Sequence, residues 1–251
     1  MKSNDQKALI FTATYNEAEG IESFYSRVKS TVASADILVI DDSSPDGTGA
    51  ILDRLATRDP QLHIIHRHSK LGLGSAHKVA FEYAMNHGYG VLVTMDADLS
   101  HLPEQIPALL SAIDQHDFII GSRYMRGGSC NYTGYRKGVS IFANYLCKTL
   151  LGVPLDEFTT SFRAFRVEKL RTVDMQSIKS SGYAFFLETT VRIHRHGLRT
   201  NQVPISFQNR QSGISKISSF EILLGMKMLL SLLFDSNSSG RAGKSIKASA
   251  E

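Results

Sequence analysis

Cysteine is scarce in this chain, a leader-like apolar start is lacking, and no apolar run reaches the length of a membrane span. Each shortage excludes something. Among 251 residues only Cys130 and Cys147 are cysteines, too few for a disulfide framework, so a reducing cytosolic setting is expected. The opening MKSNDQKALIF has no long apolar stretch of the kind a secretory signal carries. The longest late apolar stretch, Phe220 to Phe234, is shorter than the roughly 20 residues a spanning helix needs, and Lys227 interrupts it. Net charge is small as well. A formal +4 admits anionic ligands or lipid headgroups without arguing for either, and no nucleic-acid partner is expected. No internal repeat is visible, and no linker divides the chain before residue 235.

What is present reads as a globular α/β chain. The hydrophobic fraction is 42%, which suits a packed core. Apolar strand runs fall near residues 8–14, 36–41, 62–66, 90–95 and 117–121, with helical patterns between them. Ile21, Phe24, Val28 and Val32 mark one helical face, and Ile51, Leu52 and Leu55 another. Such alternation predicts a mostly parallel sheet covered on both sides, because parallel neighbours need crossover helices. In the second half, Tyr135 to Gly152 and Phe185 to His196 read as helices, and SFRAFRV and QVPISF as strands. Residues 220–234 form an amphipathic helical pattern, either packed on the domain or lying on a membrane or membrane partner. Residues 1–219 are expected to be the catalytic domain. The Ser/Gly/Lys-rich segment 235–251 is expected to be a disordered tail.

Chemistry concentrates where strands stop. In VTMDADLSH an apolar run ends in Asp96-Ala97-Asp98. Alternate residues of an extended chain share a face, so the two carboxylates project together and repel unless a cation lies between them. Hard divalent ions such as Mg²⁺ or Mn²⁺ take such oxygens and share them with substrate phosphates. ILVIDDSSPDGT repeats the grammar with Asp41-Asp42 before a turn, and ALIFTATYNEAEG ends in Tyr15-Asn16-Glu17. In open α/β sheets, ligands bind outside the carboxyl ends of the strands. KLGLGSAHKVAF joins a strand to a helix through Gly72 and Gly74, with Lys70 at its start. It is a tight loop or an anion-favouring helix start. His101 reads as an ordinary polar contact, with membership of the site as the alternative.

TATYNEAEGI, VIDDSSPDGT, KLGLGSAHKVAF, MDADLSHLPE, GSRY, SGYAFFLE and VPISFQNRQSGISK occur in one order. In that order the chain resembles an inverting family-two glycosyltransferase, most closely the polyprenyl-phosphate sugar synthases of dolichol-phosphate mannosyltransferase type. The resemblance runs from about Ala8 to Lys216. It implies a GT-A, Rossmann-like nucleotide-diphospho-sugar transferase domain. The implied reaction moves a hexose, mannose from GDP-mannose first, onto a polyprenyl or dolichyl phosphate. UDP-glucose as donor, or a sugar hydroxyl as acceptor, is the alternative. It implies Asp96, Asp98 and Ser100 at a divalent metal, Mg²⁺ or Mn²⁺. Ser100 stands where some relatives carry Gln. Donor-nucleotide contacts fall on Ala13, Tyr15, Glu17, Asp41, Asp42, Lys70 and Asp96. The alternative for Asp41 and Asp42 is a turn-forming role before Ser43-Ser44-Pro45. Arg123, Arg136 and Ser215 are implied at the acceptor phosphate, and Asp98, Arg123, Arg210 and Lys216 in catalysis. The enzyme would then work at the cytoplasmic face of a membrane, docked directly or through a small anchoring subunit.

An acceptor phosphate is already anionic and needs no strong general base, whereas a sugar hydroxyl would call for a carboxylate such as Asp156 or Glu157. Two other classes stay open. MDADLS also resembles the Asp-x-Asp-x-Ser/Thr of aspartyl-phosphate phosphatases, and departures on the acceptor side, at Glu157, Thr160 and Ile141, admit a nucleotide-sugar-binding subunit without turnover.

Overall fold

A computed structural model describes residues 7–131, 134–208 and 224–234. The first half alternates as its periodicity predicts: β1 Ala8–Thr14, α1 Ile21–Thr31, β2 Asp36–Asp41, α2 Thr48–Ala56, β3 Leu62–His66, α3 Leu73–Asn86, β4 Val91–Thr94, α4 Ile106–Ile113 and β5 Phe118–Ser122. The second half adds β6 Ser129–Cys130, α5 Tyr135–Leu151, β7 Arg163–Arg166, α6 Val167–Leu170, α7 Gly182–Arg195, β8 Thr200–Pro204 and β9 Ser206–Phe207. Residues 224–234 are helical.

The central sheet has seven strands in the order β3-β2-β1-β4-β7-β5-β8. Alternate residues of each strand feed opposite cores, as the twofold side-chain period requires. Leu9 and Phe11 of β1, Leu38 and Ile40 of β2 and Phe118 and Ile120 of β5 face one core, with Ala80 and Phe81 of α3 and Phe185 and Val191 of α7. Ile10, Ile37, Val39 and Ile119 face the other, against Phe24 of α1, Leu52 of α2 and Leu109 of α4. Strands buried on both faces must be apolar throughout. Every residue of β2 is buried, including Asp36 and Asp41 at its two ends.

Of the two strands expected in the second half, one forms and the other is divided. The segment around SFRAFRV forms β7, which runs antiparallel between β4 and β5, so its first residues lie at the carboxyl ends of its neighbours. QVPISF is not one strand. β8 pairs with β5 as far as Pro204, and β9 then pairs with β6 in a separate two-stranded sheet.

The helix over 224–234 packs Leu232 into the core lined by α7, with Met228 and Leu229 against it. The Leu232 carbonyl accepts from Arg195 Nη2 at 2.7 Å. Residues 220–223 of the expected amphipathic helix and the segment 235–251 lie outside the described residues. Among the described residues no helix is long and apolar enough to cross a membrane.

Candidate active site

One edge of the sheet gathers the carboxyl ends of β1, β2, β3, β4, β5 and β8 and the start of antiparallel β7. Strand β1 has β2 on one side and β4 on the other, so the connections diverge between the loops that follow β1 and β4, the place where open α/β sheets form their ligand crevice. Non-glycine residues with left-handed backbone are rare. Among the described residues three occur, one beyond each acidic strand end: Asn16 (φ 61°), Ser43 (φ 59°) and Leu99 (φ 59°). Strain of this kind concentrates at functional sites. An Asn favours that conformation, but Ser43 and Leu99 carry no sequence signal for it.

The first two strand ends are knitted together. Backbone N–H groups of Asn16, Glu17 and Ala18 donate to Ser44 Oγ, Thr48 Oγ1 and Asp46 Oδ2, each at 3.0 Å. The Asp41 carboxylate accepts from Thr14 Oγ1 at 2.9 Å, and from Ser44 through its N–H at 3.1 Å and its hydroxyl at 2.5 Å. Asp42 pairs with Arg67 and accepts the Gly72 N–H at 3.1 Å. Gly72 has φ +87° there, open to glycine and strained for other residues. Both aspartates are therefore buried and turned into the protein. Arg67 went unnoticed in the sequence because HRHS reads as a solvated basic run. Tyr15 and Ala13 are half-buried, and exposed Lys70 lays its ammonium over the Tyr15 ring, 3.9 Å from its centre.

The Asp-x-Asp loop is tied to the start of β7. Ser161 Oγ donates to Asp96 Oδ1 at 2.6 Å, and Asp98 Oδ1 accepts the Ser100 N–H at 2.9 Å. Ser100 Oγ is buried without a hydrogen-bond partner among the described residues, a costly state for a hydroxyl unless a ligand satisfies it. Among the described residues no group of three or more His, Cys, Asp or Glu is placed to hold a metal unaided. Asp96, Asp98 and Ser100 nevertheless offer oxygen donors alone, the chemistry Mg²⁺ or Mn²⁺ prefers, and such ions use few protein ligands and complete their shell with phosphate and water.

Across the crevice, Arg123 closes β5. Its Nε and Nη2 donate to Glu157 Oε2 and Oε1 at 2.7 and 2.8 Å, and Nη2 also reaches Thr159 Oγ1 at 3.1 Å. Nη1 carries no partner among the described residues. Burial alone would raise the Glu157 carboxyl, but the charge and hydrogen bonds of Arg123, with those of Thr159, hold it below the usual range. Asp156 is likewise held low, first by its hydrogen bond from Lys148 at 2.6 Å. Both carboxylates considered as a general base are thus committed to cations. The segment carrying them is anchored by Arg163, fully buried, whose guanidinium donates to the carbonyls of Thr160, Phe158 and Phe186 at 2.7, 2.8 and 3.0 Å. Arg136 lies on α5, while Arg210, Ser215 and Lys216 fall outside the described residues.

A mostly parallel sheet with acids at the switch point and an antiparallel strand between β4 and β5 is a Rossmann-like frame of the GT-A type. The chain matches Glycosyl transferase family 2 over residues 9–174, and it belongs to that family. An undecaprenyl-phosphate mannosyltransferase of Micrococcus luteus is 42% identical over 213 residues, 84% of this chain and 88% of that protein. A polyprenol monophosphomannose synthase of Mycolicibacterium smegmatis is 43% identical over 220 residues, 86% of this chain and 83% of that protein. Among solved structures, a mannosyl-3-phosphoglycerate synthase of Rubrobacter xylanophilus matches with a TM-score of 0.70 at 16% identity, over 93% of this chain and 75% of that one. A glucosyl-3-phosphoglycerate synthase of Mycobacterium tuberculosis, in complex with Mn²⁺, uridine diphosphate and glucosyl-3-phosphoglycerate, matches at 0.65 and 17% identity, over 91% and 80%. At these identities the two structures speak to the shared fold.

Proposed function

We propose that this chain transfers mannose from GDP-mannose to a polyprenyl phosphate, with inversion at the anomeric carbon and with a divalent cation. The observation that carries the reading is the division of the crevice: paired acids and an orphan hydroxyl on one side, a buried arginine on the other. The two relatives above 40% identity, both named for mannosyl transfer to a polyprenyl phosphate, support it.

Asp96 and Asp98 would hold the cation, with Ser100 Oγ as a further oxygen. When bound, Mg²⁺ or Mn²⁺ supplies neutralisation of the departing diphosphate. Tyr15, Ala13, Glu17 and Lys70 would line the nucleoside side, on the floor that Asp41 and Asp42 brace. Arg123 would present its remaining N–H edge to the acceptor phosphate, with Arg136, Arg210, Ser215 and Lys216 completing that side. The acceptor phosphate is its own nucleophile, which agrees with Asp156 and Glu157 both being paired with cations.

The lipid must be met at a membrane surface. Exposed Ile141, Phe142, Tyr145 and Leu150 on α5 and Met226, Leu230 and Phe234 on the late helix are the apolar side chains suited to it. Both helices pack on the same face of the sheet. We assign this face to the cytoplasmic leaflet or to a small anchoring subunit.

The test is transfer of labelled mannose into organic-soluble product from GDP-mannose, a short polyprenyl phosphate and Mn²⁺. Labelled lipid that Asp98→Ala abolishes is expected. Absence of labelled lipid, with intact nucleotide-sugar binding, would overturn the acceptor assignment.

A further inference from the structure

His101 occupies a place that an ordinary polar contact does not explain. It is 1% exposed, and its ring lies between Phe162, 5.2 Å away centre to centre, and Phe207, 5.1 Å away. Nδ1 faces the Asp96 backbone N–H at 3.3 Å and the Asp96 carboxylate at 3.5 Å; in the tautomer that accepts the shorter contact, the ring proton sits on Nε2. Nε2 then donates to Thr160 Oγ1 at 3.0 Å, and the same Thr160 oxygen accepts the Phe162 N–H at 3.2 Å. One imidazole thus spans from the Asp-x-Asp loop to the segment that carries Glu157 and Thr159, the partners of Arg123.

A second path runs through Phe207. Its ring touches His101 on one side, and the Arg123 guanidinium lies over it at 5.0 Å. His101 also forms an isolated antiparallel bridge with Phe207, and the Gln208 N–H donates to Ser100 O at 2.9 Å. The acids assigned to the donor and the arginine assigned to the acceptor are therefore joined twice through one residue, whose Nδ1 lies 3.5 Å from the Asp96 carboxylate itself.

We infer that His101 is a positioning residue that sets the separation between the donor carboxylates, Asp96 and Asp98, and the acceptor arginine, Arg123. The inference rests on the functional reading above. In-line displacement between two bound anions needs the reacting atoms held close and aligned, and a misplacement of about 1 Å can cost about 100-fold in rate. The bridge needs an acceptor facing Asp96 and a donor facing Thr160 at fixed spacing. Imidazole supplies both in one rigid ring.

The experiment compares wild type with His101→Leu, His101→Asn and His101→Gln, using GDP-mannose, a short polyprenyl phosphate and Mn²⁺. Calorimetric binding of GDP with Mn²⁺ and thermal melting are recorded for each. Leucine keeps the packing but removes both nitrogens. Asparagine retains an acceptor toward Asp96, and glutamine retains a donor toward Thr160. The expected result is a kcat lower by about 10- to 100-fold in all three, with GDP binding and both KM values within about threefold of wild type. Thr160→Val should give the same signature. The double variant carrying His101→Leu and Thr160→Val should be no worse than the poorer single change, because both break one bridge.

Full kcat in either the asparagine or the glutamine variant would overturn the bridge, since one contact would then suffice. Losses in binding and melting temperature with unchanged kcat per folded molecule would overturn it in favour of a purely structural role. If His101→Leu fails to fold, Thr160→Val carries the same test. Wild-type protein that labels no lipid would sink the functional reading itself. Wild type that labels lipid beside an equally active His101→Leu would sink this inference alone.

Discussion

Changing Glu157 to Gln tests the buried ion pair that holds Arg123. The carboxylate is fully buried and accepts from Arg123 Nε, Arg123 Nη2, the Thr159 N–H and Thr159 Oγ1, at 2.7, 2.8, 3.1 and 2.9 Å. Glutamine keeps the shape but puts an NH₂ group where one oxygen accepted, so donor faces donor and the guanidinium charge is left without its counter-ion. Removing one partner of a buried pair costs about 3–5 kcal/mol. At roughly 2–4 °C per kcal/mol for a chain of this size, the melting temperature should fall on the order of 10 °C. The pH dependence has a definite sign. The folded-state pKa of Glu157 lies below its unfolded value of 4.5. The pair's stabilisation is therefore complete above that pH and is lost as pH falls through the folded-state value. Thermal melts of wild type and Glu157→Gln, followed from about pH 7 down to about pH 3, should converge toward acid. A drop of less than about 2 °C at neutral pH, or a gap that widens toward acid, would refute the reasoning.

Ser100→Ala should leave metal-free stability unchanged or raise it by up to about 1 kcal/mol, because an unpartnered buried hydroxyl is removed. It should weaken Mn²⁺-dependent nucleotide binding, read by calorimetry. In Gly128→Ala the new Cβ would lie 2.5 Å from the Ser122 carbonyl oxygen and 2.8 Å from the Arg123 carbonyl. The backbone at Arg123 must move, so transfer should fall at least about 10-fold, as an initial-rate assay would record. Tyr89→Phe removes the 2.5 Å hydrogen bond to Asp36 at the far end of the sheet and should cost roughly 1.5–3 kcal/mol in urea unfolding. Burial tends to raise the Asp36 carboxyl, but Lys7, Tyr89 and His63 together bring it below its unfolded 3.8. The Tyr89 contribution should therefore be present above that pH and fade below it.

The first half of the fold was legible because strands such as ILVI, buried on both faces, must be apolar throughout, and their helices show a one-sided apolar stripe. The reversal of β7 was not, because strand direction depends on a partner far along the chain. RAFR even hides a fully buried arginine that local polarity places outside. The break between Pro204 and Ser206 likewise depends on β6, which recruits the chain after it leaves β5. Asp96, Asp98 and Arg123 stood out as candidates because they are charged residues ending apolar runs. The inward pairing of Asp42 with Arg67, the grip of Glu157 on Arg123 and the span of His101 did not. Each joins residues at least 25 positions apart, a distance at which local patterns carry no information.

The central claim is that acids at the end of β4 serve a nucleotide-sugar donor while the Arg123 side serves a lipid phosphate. Single-turnover transfer to a short polyprenyl phosphate tests it most directly, with GDP-mannose and UDP-glucose compared in Mn²⁺ and in chelator, for wild type and Asp98→Ala. Labelled lipid from GDP-mannose alone, lost both in chelator and in the variant, is the result expected. Transfer that persists in chelator or in Asp98→Ala, or that runs from UDP-glucose instead, would contradict it.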